Sequence, residues 1–257
     1  DASPFVEYTK DAIYLEDEEM AIIKLGKGVK VHKIHDDSRV DPTIQKLQMS
    51  LDQIEKGGYD HFMLKEIHEQ PKAITDTYRG RMLPIENRIK MSSIEDNLDK
   101  FLNANRIIII ACGTSWHAGL VGEYLFEDMA RIPVEVEYAS EFRYRNPIIT
   151  NKDVVIAISQ SGETADTLAA IKLAKSKGAF VYGVCNVVGS SIARETHSGA
   201  YTHAGPEIGV ASTKAFTTQI TVLTLIALKL GKANGSLAPH TFKNYIQKMQ
   251  LIPRQVE

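Results

Sequence analysis

Continuous apolar runs alternate with helix-like patterns in the second half of the chain. The run at 154–158 consists mainly of β-branched residues and has polar residues on both sides, which is typical of a parallel strand buried on both faces. Four further segments with strand-like patterns are 106–111, 134–138, 180–185 and 200–203. Because helical or polar segments separate these strands, we expect an α/β fold: a three-layer sandwich around a five-stranded parallel sheet with right-handed crossovers and the flavodoxin-like order 2-1-3-4-5.

A different pattern precedes this region. Short strand-like pieces are expected at 12–15, 20–25 and 29–34, with a hairpin turn at 26–28. Apolar residues at helical spacing then predict a linker helix, and they are Ile44, Leu47, Leu51 and Ile54. A short helix from Phe62 should end before Pro71, and Ser92 to Glu95 forms a capping-box pattern that opens a helix reaching Leu102.

A turn rich in hydroxyl groups follows the strand at 154–158. Residues 159–164 read Ser-Gln-Ser-Gly-Glu-Thr, and the amphipathic pattern that includes Leu168 predicts a helix after them. The first N–H groups of a helix have no intrahelical partner, and the helix dipole favours negative charge there. With Gly162 allowing close approach, this turn is a candidate phosphate site. The residues of this candidate site are Ser159, Gln160, Ser161 and Thr164.

A simple helix cap and a hydrolase elbow are the alternatives to a phosphate site in this turn. A single serine, Ser159 or Ser161, is enough to cap the following helix, but a cap does not require four polar side chains in six residues. The nucleophile elbow of a hydrolase also occurs where a strand turns into a helix. That motif needs glycine two residues before the serine, where this chain has Ser159, so we disfavour it.

A second turn of the same kind follows the strand at 106–111. Residues 112–115 read Cys-Gly-Thr-Ser, and another helical pattern begins near Leu120. In the predicted strand order, the two turns lie side by side at the switch point, where ligands bind in open α/β sheets. Thr114 and Ser115 therefore join the candidate site for an anionic ligand.

Three segments together resemble the glutamine:fructose-6-phosphate aminotransferase family, also called glucosamine-6-phosphate synthase. They are the two turns at 112–115 and 159–164 and the segment 207–219. The chain is similar, over roughly residues 60 to 231, to the first sugar-isomerase (SIS) domain of that family, which implies an SIS-type sandwich. The resemblance implies that Ser159, Gln160, Ser161 and Thr164 hold the phosphate of fructose 6-phosphate. It also implies residues that line the sugar, namely Thr114, Ser115, Val210 and Ser212.

The family's chemistry sets further expectations. The full-length enzyme converts fructose 6-phosphate and glutamine into glucosamine 6-phosphate and glutamate, a step of hexosamine and UDP-N-acetylglucosamine synthesis, without a metal or redox cofactor. The family's Schiff-base lysine, isomerising glutamate and ring-opening histidine belong to a second SIS domain. No catalytic residue is therefore expected in this chain, and Lys214 is assigned a structural role. Implied partners are fructose 6-phosphate or glucosamine 6-phosphate and a second copy, in a homodimer formed through SIS domains.

The resemblance also divides the chain. Expected parts are 1–35, the end of a glutaminase domain; 36–85, an interdomain linker and helices; 86–235, the first SIS domain; and 236–257, a helix leading to the second SIS domain. The family's glutaminase domain uses an amino-terminal cysteine as its nucleophile, whereas this chain starts at Asp1 and has its cysteines, Cys112 and Cys185, in the other domain. We expect no glutamine hydrolysis in this piece and no turnover by it alone.

Composition narrows the classes of function. A net charge of -2 and the lack of long blocks of like charge disfavour a nucleic-acid partner. The most apolar segment, 220–230, is too short to cross a bilayer, and the amino terminus has no signal-peptide layout. Cys112 and Cys185 each lie at the end of an apolar strand, a placement typical of buried free thiols. Free thiols indicate a reducing compartment, so we expect a cytoplasmic location.

Two other functions stay open on sequence grounds. One is a stand-alone SIS-domain sugar-phosphate isomerase, although the strand-rich amino-terminal region serves no purpose in a single SIS domain. The other is a non-catalytic regulatory module that binds sugar phosphates, although no helix-turn-helix signal for DNA binding is present.

Overall fold

The computed structural model describes residues 8–46 and 55–257. Two compact units divide the chain, Asp1–Gly57 and Gly58–Glu257, and each is described by itself.

The first unit consists of short antiparallel strands. They are β1 (Asp11–Ile13), β2 (Glu19–Lys24), β3 (Gly28–Lys33), β4 (Arg39–Val40) and β5 (Ile44–Lys46). Strands β2, β3 and β4 form one sheet, while β1 pairs with β5. The predicted hairpin is confirmed, because Gly26 and Gly28 supply the positive φ of +73° that its tight turn needs.

The linker-helix prediction is wrong at its start. Ile44 pairs with Ile13 of β1 in an antiparallel register, so the backbone hydrogen bonds of this segment go to another strand instead of to a helix. Tertiary pairing overrides a helical spacing of apolar residues in so short a segment. The remaining positions of the predicted helix, 47–54, lie outside the described residues.

Helices and two short strands precede the central sheet in the second unit. They are α1 (Phe62–Tyr78), β6 (Met82–Leu83), β7 (Arg88–Ile89), α2 (Ser92–Glu95) and α3 (Leu98–Leu102). The predicted break before Pro71 is wrong, since α1 continues through it. The predicted capping box is also wrong: Met91 is the N-cap, no side chain caps α2, and the helix stops at Glu95 before α3 begins.

Five parallel strands form the central sheet of the second unit. They are β8 (Arg106–Ala111), β9 (Val134–Tyr138), β10 (Asp153–Ser159), β11 (Phe180–Cys185) and β12 (Ser198–Tyr201). The spatial order is β12-β11-β10-β8-β9, and every neighbouring pair is parallel. Numbered along the chain within the sheet, this is 2-1-3-4-5, which confirms the predicted order and the α/β class. Strand β12 starts and ends earlier than the predicted 200–203.

Helices cover both faces of this sheet. They are α4 (Gly113–Leu125), continued by a π-helical turn (Phe126–Ala130), α5 (Ala139–Tyr144), α6 (Ala165–Ser176), α7 (Ser191–Glu195), α8 (Lys214–Ala233) and α9 (Pro239–Val256). Because side chains alternate along a strand, Ile109 and Ile156 enter the core that contains the apolar side of α8, whereas Ile108 and Val155 enter the core shared with α6. These two cores make the three-layer sandwich that the sequence predicted.

Helix α8 is buried around most of its circumference. It packs against α1, α4 and α9, and Val222, Leu223 and Ile226 are fully buried. Burial of each such side chain contributes roughly 1.5–3 kcal/mol. The start of α8 is therefore held at a defined place beside the sheet. Across residues 8–46 and 55–257, we find no helix with both the length and the apolar character that a membrane crossing requires.

Candidate functional site

The two hydroxyl turns lie at the carboxyl ends of adjacent strands. Ala111 of β8 pairs with Ile158 of β10, so the turns that follow these residues start at the same level of the sheet. Strand β9 lies on the far side of β8, so the chain order reverses between β8 and β10. Thr167 of α6 also reaches the first turn, with its Oγ1 donating to Cys112 Sγ at 3.9 Å. The predicted adjacency of the two turns at the switch point is confirmed.

The first turn places one hydroxyl outward and one inward. Gly113 has a φ of +55°, which lets the chain turn sharply from β8 into α4. Thr114 is exposed, whereas Ser115 is buried and its Oγ accepts a hydrogen bond from Gln219 Nε2 at 3.0 Å. This bond leaves the hydroxyl hydrogen of Ser115 available for another acceptor.

Gln219 is a residue of this site that sequence reasoning missed as an individual. It lies on α8, is 2% exposed, and reaches Ser115 across 104 positions of sequence. Its Oε1 atom is buried and has no hydrogen-bond partner within the described part of the chain. The sequence shows that residue 219 is polar, but only the packing of α8 against α4 shows that it is buried and bonded to Ser115.

The second turn is shaped by its own hydroxyl groups. Ser159 Oγ accepts a hydrogen bond from the Gly162 N–H at 3.0 Å and lies 3.1 Å from Thr164 Oγ1. Ser161 Oγ accepts from the Glu163 N–H at 3.2 Å. Ser159 is only 3% exposed, so its hydroxyl shapes the turn, whereas Gln160, Ser161 and Thr164 are half-buried and accessible.

An ordinary helix cap does not account for this turn. Thr164 is the N-cap residue of α6, and no side chain makes a capping bond there. Ser159 and Ser161 bind N–H groups that precede the helix. The start of α6 therefore keeps N–H groups that an anion can use.

Gly162 is required by close packing as well as by conformation. It has a φ of +69°, and a Cβ added to it would lie 2.0 Å from Ser190 Oγ. Its carbonyl accepts from the Ile192 N–H at 2.9 Å, which ties the turn to the short helix α7.

The charge of Glu163 is directed away from the donors of the turn. Glu163 is exposed, and its Oε1 accepts from the Ser191 N–H at 2.8 Å, at the start of α7. The groups left accessible in the turn are therefore neutral: two hydroxyls, an amide side chain and backbone N–H groups.

A third segment, residues 205–213, precedes α8 and is called the α8 loop from here on. Val210 is fully exposed, and Ser212 is half-buried and donates to Glu207 Oε2 at 2.9 Å. Glu207 Oε1 accepts from the Thr213 and Ala215 N–H groups at 2.8 and 3.0 Å, so Glu207 caps α8. Among the described residues, no hydrogen bond joins the α8 loop directly to either hydroxyl turn.

Asn186 anchors the start of the α8 loop to the end of β11. Its Nδ2 donates to the Gly205 carbonyl at 2.7 Å, and its Oδ1 accepts from the Ala204 N–H and from Thr202 Oγ1, both at 2.9 Å. Sequence reasoning missed this residue too, because its partners follow the next strand.

Lys214 is buried as part of an ion pair. It is 3% exposed, and its Nζ donates to Glu69 Oε2 of α1 at 2.5 Å. An ammonium group in this arrangement is not presented as a nucleophile, which supports the structural role expected from the sequence.

A cavity of about 290 Å³ lies elsewhere in the unit, beside the edge strand β12. Its lining includes Arg81, Lys90, Ser92, Ser93, Gly199 and Tyr201. Burial lowers the pKa of Arg81. Strand β11 separates β12 from β10, and no residue of the hydroxyl turns lines this cavity, so the two places are distinct. Sequence reasoning did not predict it.

Side chains that bind metals are not clustered in the described part of the chain. Over 8–46 and 55–257, no group of three or more His, Cys, Asp or Glu side chains is arranged to hold a metal ion.

Comparisons with known proteins agree with this geometry. A family model described as the SIS domain matches residues 100–229. The chain is 57% identical over 257 residues to a glutamine–fructose-6-phosphate aminotransferase [isomerizing] of Bacteroides thetaiotaomicron, covering 100% of this chain and 42% of that protein. It is 54% identical to the enzyme of the same name from Chlorobaculum tepidum, covering 100% of this chain and 41% of that protein.

Solved structures extend the comparison. The C-terminal domain of glucosamine-fructose-6-phosphate aminotransferase from Francisella tularensis superposes with a TM-score of 0.74 at 40% identity, over 78% of this chain and 56% of that one. Glucosamine-6-phosphate deaminase from Thermotoga maritima matches with a TM-score of 0.56 at 20% identity, over 73% and 53%. The second likeness shows a shared fold alone. The chain spans about two fifths of the length of the curated relatives that it matches.

Proposed function

The chain belongs to the SIS-domain family, and from that premise we propose that it is the sugar-phosphate-binding half of the isomerase in a glucosamine-6-phosphate synthase. The full protein converts fructose 6-phosphate and glutamine into glucosamine 6-phosphate and glutamate. The observation that carries the proposal is the adjacency of two hydroxyl turns at the switch point of the sheet. The relatives that cover the whole chain are named for this reaction, which supports the synthase over a stand-alone isomerase or a regulatory module.

In this proposal the second turn holds the phosphate. A phosphate in front of α6 would accept bonds from backbone N–H groups, from the Ser161 and Thr164 hydroxyls and from the Gln160 amide. Ser159 contributes by keeping the turn in shape, since its hydroxyl is buried and bonded to Gly162. Because neither turn contains Arg or Lys, we expect modest affinity.

The sugar ring lies, in the same proposal, between the first turn and the α8 loop. Ser115 donates its free hydroxyl hydrogen to a sugar oxygen, since the Gln219 amide already occupies one of its acceptor positions. Thr114 offers an exposed hydroxyl, and the α8 loop contributes Val210 and Ser212. These groups bind and orient the sugar phosphate, and no catalytic residue is assigned within the chain.

Calorimetric titration of the chain with fructose 6-phosphate tests the phosphate assignment. We expect Ser161→Ala to weaken binding about tenfold, because one hydrogen bond to a charged group is lost. Ser176→Ala is the matched control, since Ser176 is an exposed serine near the opposite end of the same helix and donates only to the Leu173 carbonyl. Equal affinity of wild type and Ser161→Ala would remove the phosphate role of this turn.

An activity assay separates the synthase proposal from the alternatives. The chain is incubated with fructose 6-phosphate and ammonia, and glucosamine 6-phosphate is measured. We expect none, because the residues that carry the isomerisation in the family are assigned to another domain. Appearance of the amino sugar would instead favour a self-sufficient isomerase.

The organisation and assembly of the full protein follow the same proposal. Residues 86–235 are assigned to the first SIS domain, 1–35 to the end of a glutaminase domain, 36–85 to the segment between them, and 236–257 to a helix toward a second SIS domain. We assign a homodimer through SIS domains, supported by Val121 and Tyr124, which α4 exposes at 37% and 75%. The free cysteines Cys112 and Cys185 support a reducing, cytoplasmic location.

A further inference from the structure

A buried carboxylate of α1 holds the backbone of the α8 loop. Glu66 is only 2% exposed. Its Oε1 accepts from the Ile208 N–H at 2.6 Å and from the Gly209 N–H at 3.1 Å, and its Oε2 lies 3.2 Å from the same Gly209 nitrogen. Hydrogen bonds to an ionised carboxylate are about twice as strong as bonds between neutral groups. The conformation of the loop therefore depends on a side chain that lies 142 positions earlier in the chain.

Gly209 is the residue that lets this carboxylate approach. A Cβ added there would lie 2.6 Å from Glu66 Oε2 and 3.3 Å from Met63 Cα. Any larger residue would push the carboxylate away from the two N–H groups. Close approach, and not a left-handed backbone, explains this glycine.

An ion pair holds the end of the loop one helical turn further along α1. Glu69 Oε2 accepts from Lys214 Nζ at 2.5 Å, and Lys214 is the first residue of α8. Glu66 and Glu69 are three positions apart, so they lie on the same face of α1. Helix α1 is thus bonded to the α8 loop near the centre of the loop and at the point where the loop joins α8.

The Glu66 carboxylate is costly to bury unless it is bonded, whereas Glu69 is partly exposed. Removing the hydrogen-bond partners of a buried carboxylate strongly destabilises the folded chain. We therefore expect the loop and α1 to stay together or to separate together. The hydroxyl turn at 159–164 has no bond to a carboxylate of another helix among the described residues, because its bonds are made within the turn and to the N–H groups of Asn186, Ser191 and Ile192.

We propose that Glu66 is a positioning residue for sugar binding: by latching the α8 loop to α1, it sets the positions of Val210 and Ser212 against the sugar, while the phosphate turn works without it. This role rests on the proposed function, since it concerns the sugar side of that same site. With this role, α1 and the run Lys65 to Pro71 within it contribute to the sugar site of the second unit.

The test compares two ligands in three variants of the chain. Glu66→Gln keeps the shape and removes the charge, Glu66→Ala removes the side chain, and Gly209→Ala displaces the carboxylate. We expect affinity for fructose 6-phosphate to fall about tenfold in Glu66→Ala and Gly209→Ala and less in Glu66→Gln. Affinity for inorganic phosphate should stay within about twofold in all three, a separation that general unfolding cannot produce.

A double-mutant cycle sharpens the result. Once Glu66 is alanine, Gly209→Ala should weaken sugar-phosphate binding by no more than about a further twofold, because the clash it causes is gone. Glu95→Gln is the matched control: Glu95 Oε1 bonds Lys229 Nζ at 2.5 Å toward the far end of α8, so its loss removes a carboxylate bonded to the same helix but not to the loop. Its affinity for both ligands should equal that of wild type.

Amide hydrogen exchange without ligand tests the latch separately. The N–H groups of Ile208 and Gly209 should exchange faster in Glu66→Gln, while those of β10 keep their protection. Unchanged exchange, or an equal loss of affinity for both ligands, would overturn the positioning role. If wild type binds fructose 6-phosphate and Glu66→Ala binds it equally well, only this role fails. If wild type does not bind it at all, the proposed function fails as well.

Discussion

The hydroxyl turn at 159–164 and the α8 loop at 205–213 both follow parallel strands of one sheet, but they are held by different means. In the hydroxyl turn, Ser159 and Ser161 accept bonds from N–H groups three and two residues further along the chain, respectively. In the α8 loop, the supporting groups include two carboxylates that bind its backbone or the start of α8, Glu207 within the loop and Glu66 on α1. Neutral hydrogen bonds contribute about 0.5–1.5 kcal/mol each, and bonds to charged groups about 1.5–3 kcal/mol.

This difference separates local support from distant support. A turn that satisfies its own N–H groups keeps its shape wherever the strand and helix around it are formed. A loop held by a carboxylate from another helix keeps its shape only while that helix is in place. The phosphate side of the site should therefore be robust, and the sugar side should respond to changes in α1.

The largest effect is expected where the hydroxyl turn does depend on a neighbour. Gly162→Ala introduces a Cβ 2.0 Å from Ser190 Oγ and 2.4 Å from Ser190 Cβ at a φ of +69°. We expect a loss of about 3 kcal/mol in the free energy of unfolding, from overpacking plus backbone strain. Urea denaturation measures this loss of stability. Titration with inorganic phosphate measures binding, which we expect to be lost in the variant.

Gly235→Ala separates strain from packing in that measurement. Gly235 has a φ of +79°, and nothing lies within 4 Å of an added Cβ. This control should cost only about 1 kcal/mol. Equal losses in the two variants would show that Ser190 does not constrain the turn.

An intermediate effect is expected from the local cap of the α8 loop. Glu207→Ala leaves the Thr213 and Ala215 N–H groups and the Ser212 hydroxyl without their carboxylate. We expect about 2 kcal/mol of lost stability and weaker fructose 6-phosphate binding, with inorganic phosphate binding retained.

Glu163→Ala is the matched change in the other region. Its exposed carboxylate accepts only the Ser191 N–H, so the loss should be below about 1 kcal/mol. Urea denaturation measures the free energy of unfolding of both variants. A larger loss in Glu163→Ala than in Glu207→Ala would contradict the view that carboxylates matter most at the α8 loop.

The smallest effect concerns pH at the approach to the α8 loop. Burial, and then the nearby Arg81 charge, lowers the pKa of His203 below its usual value of 6.5. The unfolded chain therefore binds this proton more readily, so the stability that neutral His203 contributes is present above pH 6.5 and is lost as the pH falls toward the folded pKa.

Unfolding at pH 7.5 and 5.5 measures this contribution by comparison with His203→Asn. Asparagine accepts the positive φ of 56° at this position and does not titrate in this range. We expect a smaller loss of stability on acidification in the variant than in wild type. The same loss in both would show that His203 carries no part of the pH dependence.

Local sequence patterns predicted an element correctly where the residues of that element carry a clear signal for it. The buried runs ending at Ala111 and Ser159 are continuous and apolar, so they were recognisable as central parallel strands, and their hydroxyl turns followed from the residues next in sequence. Such patterns failed at Ile44, Pro71 and Ser92. At Ile44 a partner strand, and at Pro71 continued packing of α1, decided the outcome.

The amino-acid order by itself determined the five-stranded sheet, the strand order and the two hydroxyl turns, because strand burial, crossover handedness and turn chemistry act over a few neighbouring residues or follow general rules of chain geometry. The tertiary structure alone decided which side chains from distant parts of the chain support the site. Gln219 reaches Ser115 and Glu66 reaches the α8 loop across more than a hundred positions of sequence. Pairing of buried polar groups over such distances depends on how helices pack on the sheet, and no local pattern records it.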